Sequence, residues 1–423
     1  MNKRYGLDPR LRGDDVRGGK TIILFVHHGK GLGGAPLSLL YLLQGLDHAL
    51  YHPIVVFLYP SEIIELYKSH GIQTIGPLSV MDFPHTKIWW LRWYHIMPMM
   101  RMIKDFFKTL YSVAPALLKQ LRPDLVHLNT SSLPAWAIAA KRCNIPVVWH
   151  IREPLADGYL GLRKRFITWC VKQYATTIVP ICRNDAQPWL QLPKTAVIYN
   201  AVKPDMFAWD TDPSTFLAKH QLSPLRPRIL FVGGISQEKG THSILKIFKQ
   251  LLVRVPDAQL LLAGYSDTTS SASLLKNVSP DARYKQAVVK QLQDLGNRVK
   301  LLGPIHDIPA AMAASNVVVF PATIGHFARP VIEAGFMKKP VIASALPPLD
   351  ELVQDTITGF LLPPHDTHAW VETLALLLTD QVYAARMGQA AYAHCLATFG
   401  IHQQQEKIQS VYLAVFKKGE ARG

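Results

Sequence analysis

Cysteine is scarce in this chain: four residues in 423, at Cys143, Cys170, Cys182 and Cys395, with no pair spaced as CxxC. That argues against a disulfide framework and a structural zinc site, and suits a reducing compartment. No run of 18 uncharged apolar residues occurs, so a membrane-spanning helix is not expected. Residues 1–20 are polar, basic and glycine-bearing with no apolar core, which reads as a disordered leader rather than a secretory signal. Low-complexity tracts and short-period repeats are missing. Acidic residues are few beside basic ones, 30 against 46, a formal net charge of +16.

What is present is ample apolar material. Hydrophobic residues make up 49% and charged residues 18%, which excludes global disorder and a collagen-like fibre. The length exceeds the roughly 250–300 residues at which a single core stops growing, so two domains are expected. The charge is uneven. Residues 1–205 hold 25 basic and 13 acidic side chains, a formal +12, and residues 206–423 only +4. A basic first half suggests an anionic partner: nucleic acid, an acidic sugar or a membrane surface.

Two segments open alike. Residues 21–26 form an apolar strand pattern that runs into His27-His28-Gly29-Lys30-Gly31-Leu32-Gly33-Gly34 and a helical stretch over 36–50. Residues 228–232 run into Gly233-Gly234, then Lys239-Gly240, and a helical stretch over 244–255. Both patterns read as buried strand, glycine turn and helix, the opening unit of a doubly wound α/β domain. Further short apolar strands are predicted at 54–58, 125–128, 146–149, 177–180 and 196–199. In the second half they fall at 259–262, 299–302, 317–320, 340–343 and 359–362. Helical stretches separate most of them, so parallel sheets are expected. The predicted fold is α/β: two facing Rossmann-like domains and a closing helix that returns to the first. The expected division is a 1–20 leader, a 21–203 domain, a 204–227 linker, a 228–395 domain and a 396–423 helix.

Gly29, Gly31 and Gly34 match G-x-G-x-x-G between a strand and a helix. A nicotinamide enzyme also needs an acid at the end of the second strand, but that strand ends in Tyr59-Pro60-Ser61 and the first acid is Glu62. The dehydrogenase reading is therefore disfavoured. A glycine turn at a helix N-terminus still offers N–H groups to an anion, unless the glycines merely permit a tight turn. Lys239 could meet a diphosphate; its plainer alternative is a solvated lysine beside Glu238. Asp210-Thr211-Asp212 is a D-x-D in the linker, read as a solvated turn, and no metal or other cofactor is expected.

Residues 320–344, FPATIGHFARPVIEAGFMKKPVIAS, resemble the donor-site segment of the retaining GT-B glycosyltransferases of family 4 (glycosyl transferases group 1). There an E-x7-E pair surrounds Phe-Gly and is followed by Gly-x-Pro-Val-Ile-Ala. The second Glu matches Glu333, and Pro340-Val341-Ile342-Ala343 follows in register. Asp124-Leu125-Val126-His127 is similar to the family's Asp-x-x-His strand, and residues 145–153 to the strand that delivers an active-site His. Asn200-Ala201-Val202, Leu302-Gly303 and residues 358–363 continue the order over about 390 residues.

The resemblance implies transfer of a sugar from a nucleotide-sugar with retained configuration. Glu333 would bind the ribose hydroxyls, and a carboxylate suits that because it accepts two hydrogen bonds at once. Lys239 would stabilise charge on the departing diphosphate. The backbone at Phe327, Ala328 and Arg329 and the turn at Gly233 would approach the same group. His150 would lie by the donor sugar, and Gly31, Gly33 and Gly34 would border diphosphate and acceptor. The implied acceptor is a glycan or a lipid-linked molecule, in surface polysaccharide (lipopolysaccharide) or glycolipid synthesis.

Three positions depart from that pattern. The first Glu of the pair falls on Gly325, the usual Arg before the Lys falls on Gly234, and the Gly-Gly before the final Pro-x-Glu is eroded to Ala345-Leu346-Pro347-Pro348, though Glu351 remains. His326, beside the vacant carboxylate position, is either a donor-sugar contact or a solvated loop residue. The alternative reading is accordingly a degenerate homologue that binds nucleotide-sugar or serves as a scaffold.

One stretch belongs to no such pattern. Residues 87–108 set Trp89, Trp90 and Trp93 among Lys87, Arg92, Arg101, Lys104 and Lys108, with Met and Phe between. An interfacial helix on an anionic membrane needs that mixture. Packing of the aromatics into the first domain is the plainer alternative. A cytoplasmic protein, peripheral at the inner membrane face, is the expectation. Nucleic acid is not, since no DNA- or RNA-reading motif accompanies the charge.

Overall fold

The computed structural model describes residues 19–28, 34–80, 82–83, 96–264, 280–303 and 307–420. Gly31 and Gly33 lie outside the described residues, as do Trp89, Trp90 and Trp93. The chain divides into two compact units, residues 1–201 with 401–423 and residues 202–400.

The first unit holds β1 (Thr21–His27), β2 (Tyr51–Phe57), β3 (Gln73–Ile75), β4 (Leu125–Leu128), β5 (Val147–Ile151) and β6 (Thr177–Pro180). All are parallel, in the order β3-β2-β1-β4-β5-β6. The strands are near-continuous apolar runs because helices cover both faces. Alternation along β1 divides the two cores. Ile22, Leu24 and Val26 face Leu117, Trp136 and Ile167; Ile23 and Phe25 face Leu39, Leu43 and Ile408.

The closing helix, Ile401–Glu420, packs on this first unit. Its stripe of Ile408, Val411, Tyr412 and Val415 has the i, i+3, i+4, i+7 spacing of one helical face and lies in the Leu39 core. Each fully buried side chain of this kind contributes roughly 1.5–3 kcal/mol. The helical stretch before it, Gln381–Thr398, belongs to the second unit.

That second unit repeats the plan with β7 (Arg228–Val232), β8 (Gln259–Ala263), β9 (Val299–Gly303), β10 (Val317–Phe320), β11 (Val341–Ser344) and β12 (Gly359–Leu362). The order is β12-β11-β10-β7-β8-β9. In each sheet the winding direction reverses beside the first strand, between β1 and β4 and between β7 and β10. Ligands of open α/β sheets bind at such switch points, beyond the carboxyl ends of the strands.

Two details differ from expectation. Residues 196–199 form no strand: Ala196 and Ile198 donate to Ile178 and Pro180 of β6, but beyond one isolated bridge no ladder develops. Conversely, β3 is only three residues long and carries Gln and Thr, too short and polar for a hydrophobic pattern. The segment 204–227 holds a short helix, Ser214–Lys219, whose Phe216 and Leu217 are buried.

Candidate functional site

In the second unit, two strand–helix turns meet at the switch point. After β7 the chain runs through Gly233 to Gly240, which caps the helix Thr241–Arg254 in the left-handed region at φ 83°. A Cβ there would strike the Pro321 carbonyl oxygen, so only glycine fits. Thr241 Oγ1 donates to the Gly234 carbonyl at 2.8 Å and accepts from Ser236 N at 2.9 Å, pinning the turn. After β10, Thr323 N donates to the Glu238 carbonyl at 2.9 Å and stitches the turns together. Lys239 is thereby held half-buried beside the second turn, and burial lowers its pKa. Among the described residues its ammonium makes no salt bridge.

Gly233 acts through its missing side chain. The amides of Gly233 and Gly234 are both spent on the Ala263 carbonyl, at 3.2 and 2.9 Å, and a Cβ at Gly233 would meet the Phe231 ring.

Phe327 precedes Ala328, whose extended backbone enters the helix Arg329–Phe336 without a side-chain cap. Pro330 carries no N–H and Val331 N donates to the Ala328 carbonyl at 3.1 Å, so it is chiefly the positive end of the helix dipole that suits an anion here. One turn along, Glu333 is 6% exposed, with Arg329 Nε 2.5 Å from its Oε1. Burial raises the Glu333 pKa and Arg329 opposes that shift.

Gly325 and the altered 345–348 stretch touch each other. A Cβ on Gly325 would run into the Pro347 carbonyl oxygen, with Leu346 Cβ 3.5 Å away. The space beside the vacant carboxylate position is filled by backbone. His326 turns to the Ile324 carbonyl at 3.0 Å and packs against Phe320.

The first unit gathers polar side chains at the ends of β1, β4 and β5. His150 is fully buried, with Nδ1 3.1 Å from His127 Nε2; His127 Nδ1 lies 2.7 Å from the Tyr412 hydroxyl. His27 is 3.0 Å from Asn129. Arg152 donates from Nε to Asn129 Oδ1 at 2.6 Å and from one terminal nitrogen to Asn200 Oδ1 at 2.5 Å. Burial, then the nearby Arg152 charge, pushes the His127 and His150 pKa values well below the ordinary 6.5; at His27 burial is followed by His28. Burial draws Arg152 down to about 10, so it remains a cation at neutral pH. Left without partners are His27 Nε2, His150 Nε2 and one Arg152 nitrogen. A buried cation with donors to spare can receive an anionic or hydroxyl-rich ligand.

Of the residues singled out from sequence, His150 and Gly34 belong to the first unit, and Gly233, Lys239, Phe327, Ala328, Arg329 and Glu333 to the second. Gly34 opens the helix Gly34–Gln44 with open space where a Cβ would be. Sequence reasoning assigned no role to His27, Asn129, Arg152 or Tyr412. The available signal was polar residues at the ends of apolar strands. At 210–212, Asp212 is engaged with Ser214 N and Oγ.

Two six-stranded parallel sheets flanked by helices, the second with a glycine turn at its switch point, define an α/β architecture of the GT-B type. The family model for Glycosyltransferase Family 4 matches residues 32–206, and that for Glycosyl transferases group 1 matches residues 214–394. The chain belongs to the GT-B glycosyltransferases of group 1, family 4 type. Among curated proteins it is similar to the D-inositol 3-phosphate glycosyltransferase of Corynebacterium diphtheriae, 28% identical over 223 residues, covering 51% of this chain and 50% of that one. It is also similar to the alpha-D-kanosaminyltransferase of Streptomyces kanamyceticus, 25% identical over 189 residues, 44% and 45% of the two chains. The chain thus spans about half the length of the curated relatives it matches. Among solved structures, Anabaena Alr3699/HepE in complex with UDP aligns at a TM-score of 0.74 and 21% identity, covering 93% of this chain and 100% of that one. A glycosyltransferase from Rickettsia africae aligns at 0.75 and 19%, covering 94% and 99%.

Proposed function

We propose that the chain moves a sugar from a nucleotide-sugar to a glycan or lipid-linked acceptor with retained configuration, in surface polysaccharide or glycolipid synthesis. The observation that carries this reading is the switch point of the second unit. There a buried carboxylate, a half-buried ammonium and an uncapped helix N-terminus adjoin two stitched turns. In this reading Glu333 accepts from the ribose hydroxyls. Lys239 and the positive end of the helix that begins at Arg329 meet the diphosphate and stabilise the charge that develops as the sugar leaves. Arg329 offsets part of the rise in the Glu333 pKa that burial causes. His150, neutral and with Nε2 free, offers a hydrogen-bond acceptor or donor at the strand ends of the first unit. Complexes of Anabaena HepE with UDP and with UDP-glucose support a uridine nucleotide as the first donor to try. Charge stabilisation is assigned to protein groups, without a metal.

A binding-only homologue is the second reading, and the backbone packed against Gly325 favours it. Calorimetry with UDP and GDP, followed by donor hydrolysis with a panel of nucleotide-sugars, separates the two. Binding with turnover supports the transferase, binding without turnover supports the second reading, and binding of neither nucleotide overturns both. No described helix is long and apolar enough to cross a membrane. Within this proposal the protein works at the inner membrane face, held there by the basic, aromatic stretch 87–108.

A further inference from the structure

Tyr412, His127 and His150 form one chain of hydrogen bonds behind the strand ends of the first unit. His127 lies on β4 and His150 on the neighbouring β5. The His127 ring stacks on Phe25 of β1 with centroids 4.8 Å apart. Both of its nitrogens are taken: Nδ1 lies 2.7 Å from the Tyr412 hydroxyl and Nε2 lies 3.1 Å from His150 Nδ1. All three side chains are 0% exposed, so a polar group left unpaired among them is costly.

Burial pushes both imidazole pKa values well below 6.5, and each neutral ring carries a single proton. The protons can then run along the chain in two ways. In the first, Tyr412 donates to His127 Nδ1, His127 donates from Nε2 to His150 Nδ1, and His150 carries its proton on Nε2. In the second, His150 donates from Nδ1 to His127 Nε2, His127 donates from Nδ1 to the Tyr412 oxygen, and His150 Nε2 is bare. Among the described residues His150 Nε2 has no partner, since Arg152 spends its bonds on Asn129 and Asn200. The first arrangement therefore leaves one group unpaired, the His150 Nε2–H. The second leaves two, the bare Nε2 and the phenolic proton of Tyr412. One buried polar group fewer without a partner favours the first by roughly 5-fold or more.

We propose that Tyr412 and His127 are positioning residues that hold His150 in its Nε2–H tautomer. His150 then presents a hydrogen-bond donor at the strand ends, suited to a hydroxyl or anionic oxygen. A bare Nε2, able to take a proton from an acceptor hydroxyl, is not what the resting chain offers. The inference deepens the transferase reading and rests on it only in taking the facing oxygen to be a sugar hydroxyl.

The test is nitrogen NMR of the intact, unliganded chain carrying isotope-labelled histidine at neutral pH, with His150→Gln to assign the ring. His150 is expected to show a protonated, pyrrole-type Nε2 and a bare, pyridine-type Nδ1, the Nε2–H form in at least ~5-fold excess. Tyr412→Phe removes the donor that decides between the arrangements. Each then leaves one donor and one acceptor unpaired, so the two His150 nitrogen shifts should move towards a common average. His127→Gln should keep the Nε2–H pattern, because its amide oxygen accepts from Tyr412 while its amide nitrogen donates to His150 Nδ1. A wild-type His150 protonated at Nδ1 overturns the proposal, even where a variant fails to fold. An Nε2–H pattern that survives unchanged in Tyr412→Phe overturns it as well. Calorimetry with UDP reports on the transferase reading separately. An Nε2–H His150 without UDP binding supports the relay and sinks that reading, whereas UDP binding with an Nδ1–H His150 sinks the relay alone.

Discussion

Lys239 is held by backbone geometry rather than by a partner charge. Gly240 must be glycine, Thr241 pins the preceding turn, and the ammonium is left half-buried for a ligand. Lys239→Ala is expected to lower donor turnover about 10²–10³-fold, by analogy with losing one charged contact in a transition state, with an unchanged circular dichroism spectrum. Gly325 gives the opposite kind of prediction. Writing the family's carboxylate back as Gly325→Glu forces a Cβ into the Pro347 carbonyl. Overpacking of this sort costs about 1–3 kcal/mol, to be read as a lower urea midpoint. Adding Pro347→Gly to free that backbone should recover part of the loss, because contacting sites are not additive.

Among the elements, the closing helix does more than cover an apolar face. Through Tyr412 it reaches His127, and through His127 it reaches His150. Tyr412→Phe leaves His127 Nδ1 buried without its partner and is expected to cost about 1–3 kcal/mol in urea unfolding. The three strand-end imidazoles also set a pH dependence. Their folded pKa values lie below the ordinary 6.5 because burial opposes the charged form. As pH falls below about 6.5 the unfolded chain takes up protons that the folded chain refuses. Stability therefore drops, by up to about 1.4 kcal/mol per pH unit for each ring. Urea midpoints should be level above about pH 7 and decline towards pH 5, with a shallower decline in His127→Gln.

Across the whole molecule the charge belongs to one part of the chain: +12 of the formal +16 lies in residues 1–205. If the proposed membrane contact is electrostatic, sedimentation with phosphatidylserine-containing vesicles should fall as salt rises from about 0.05 to 0.5 M, as the Debye length shortens. An unchanged bound fraction would leave only apolar insertion. Most of the fold was legible because buried parallel strands write themselves as apolar runs, as at 228–232 and 317–320. The three-residue β3 was not, being too short and polar to leave a period. The extended 196–199 segment imitated a strand because its composition matches one, although it makes no ladder.

The sequence by itself determined two α/β units, the glycine turn after residues 228–232 and where Lys239, Glu333 and His150 fall along the elements, because local pattern and residue chemistry are written in chain order. The tertiary structure alone decided that Tyr412 supports His127 from 285 residues away and that Pro347 closes the space at Gly325. Each depends on which atoms burial brings together and which partners it leaves unsatisfied, and neither quantity is a property of neighbouring residues in the chain.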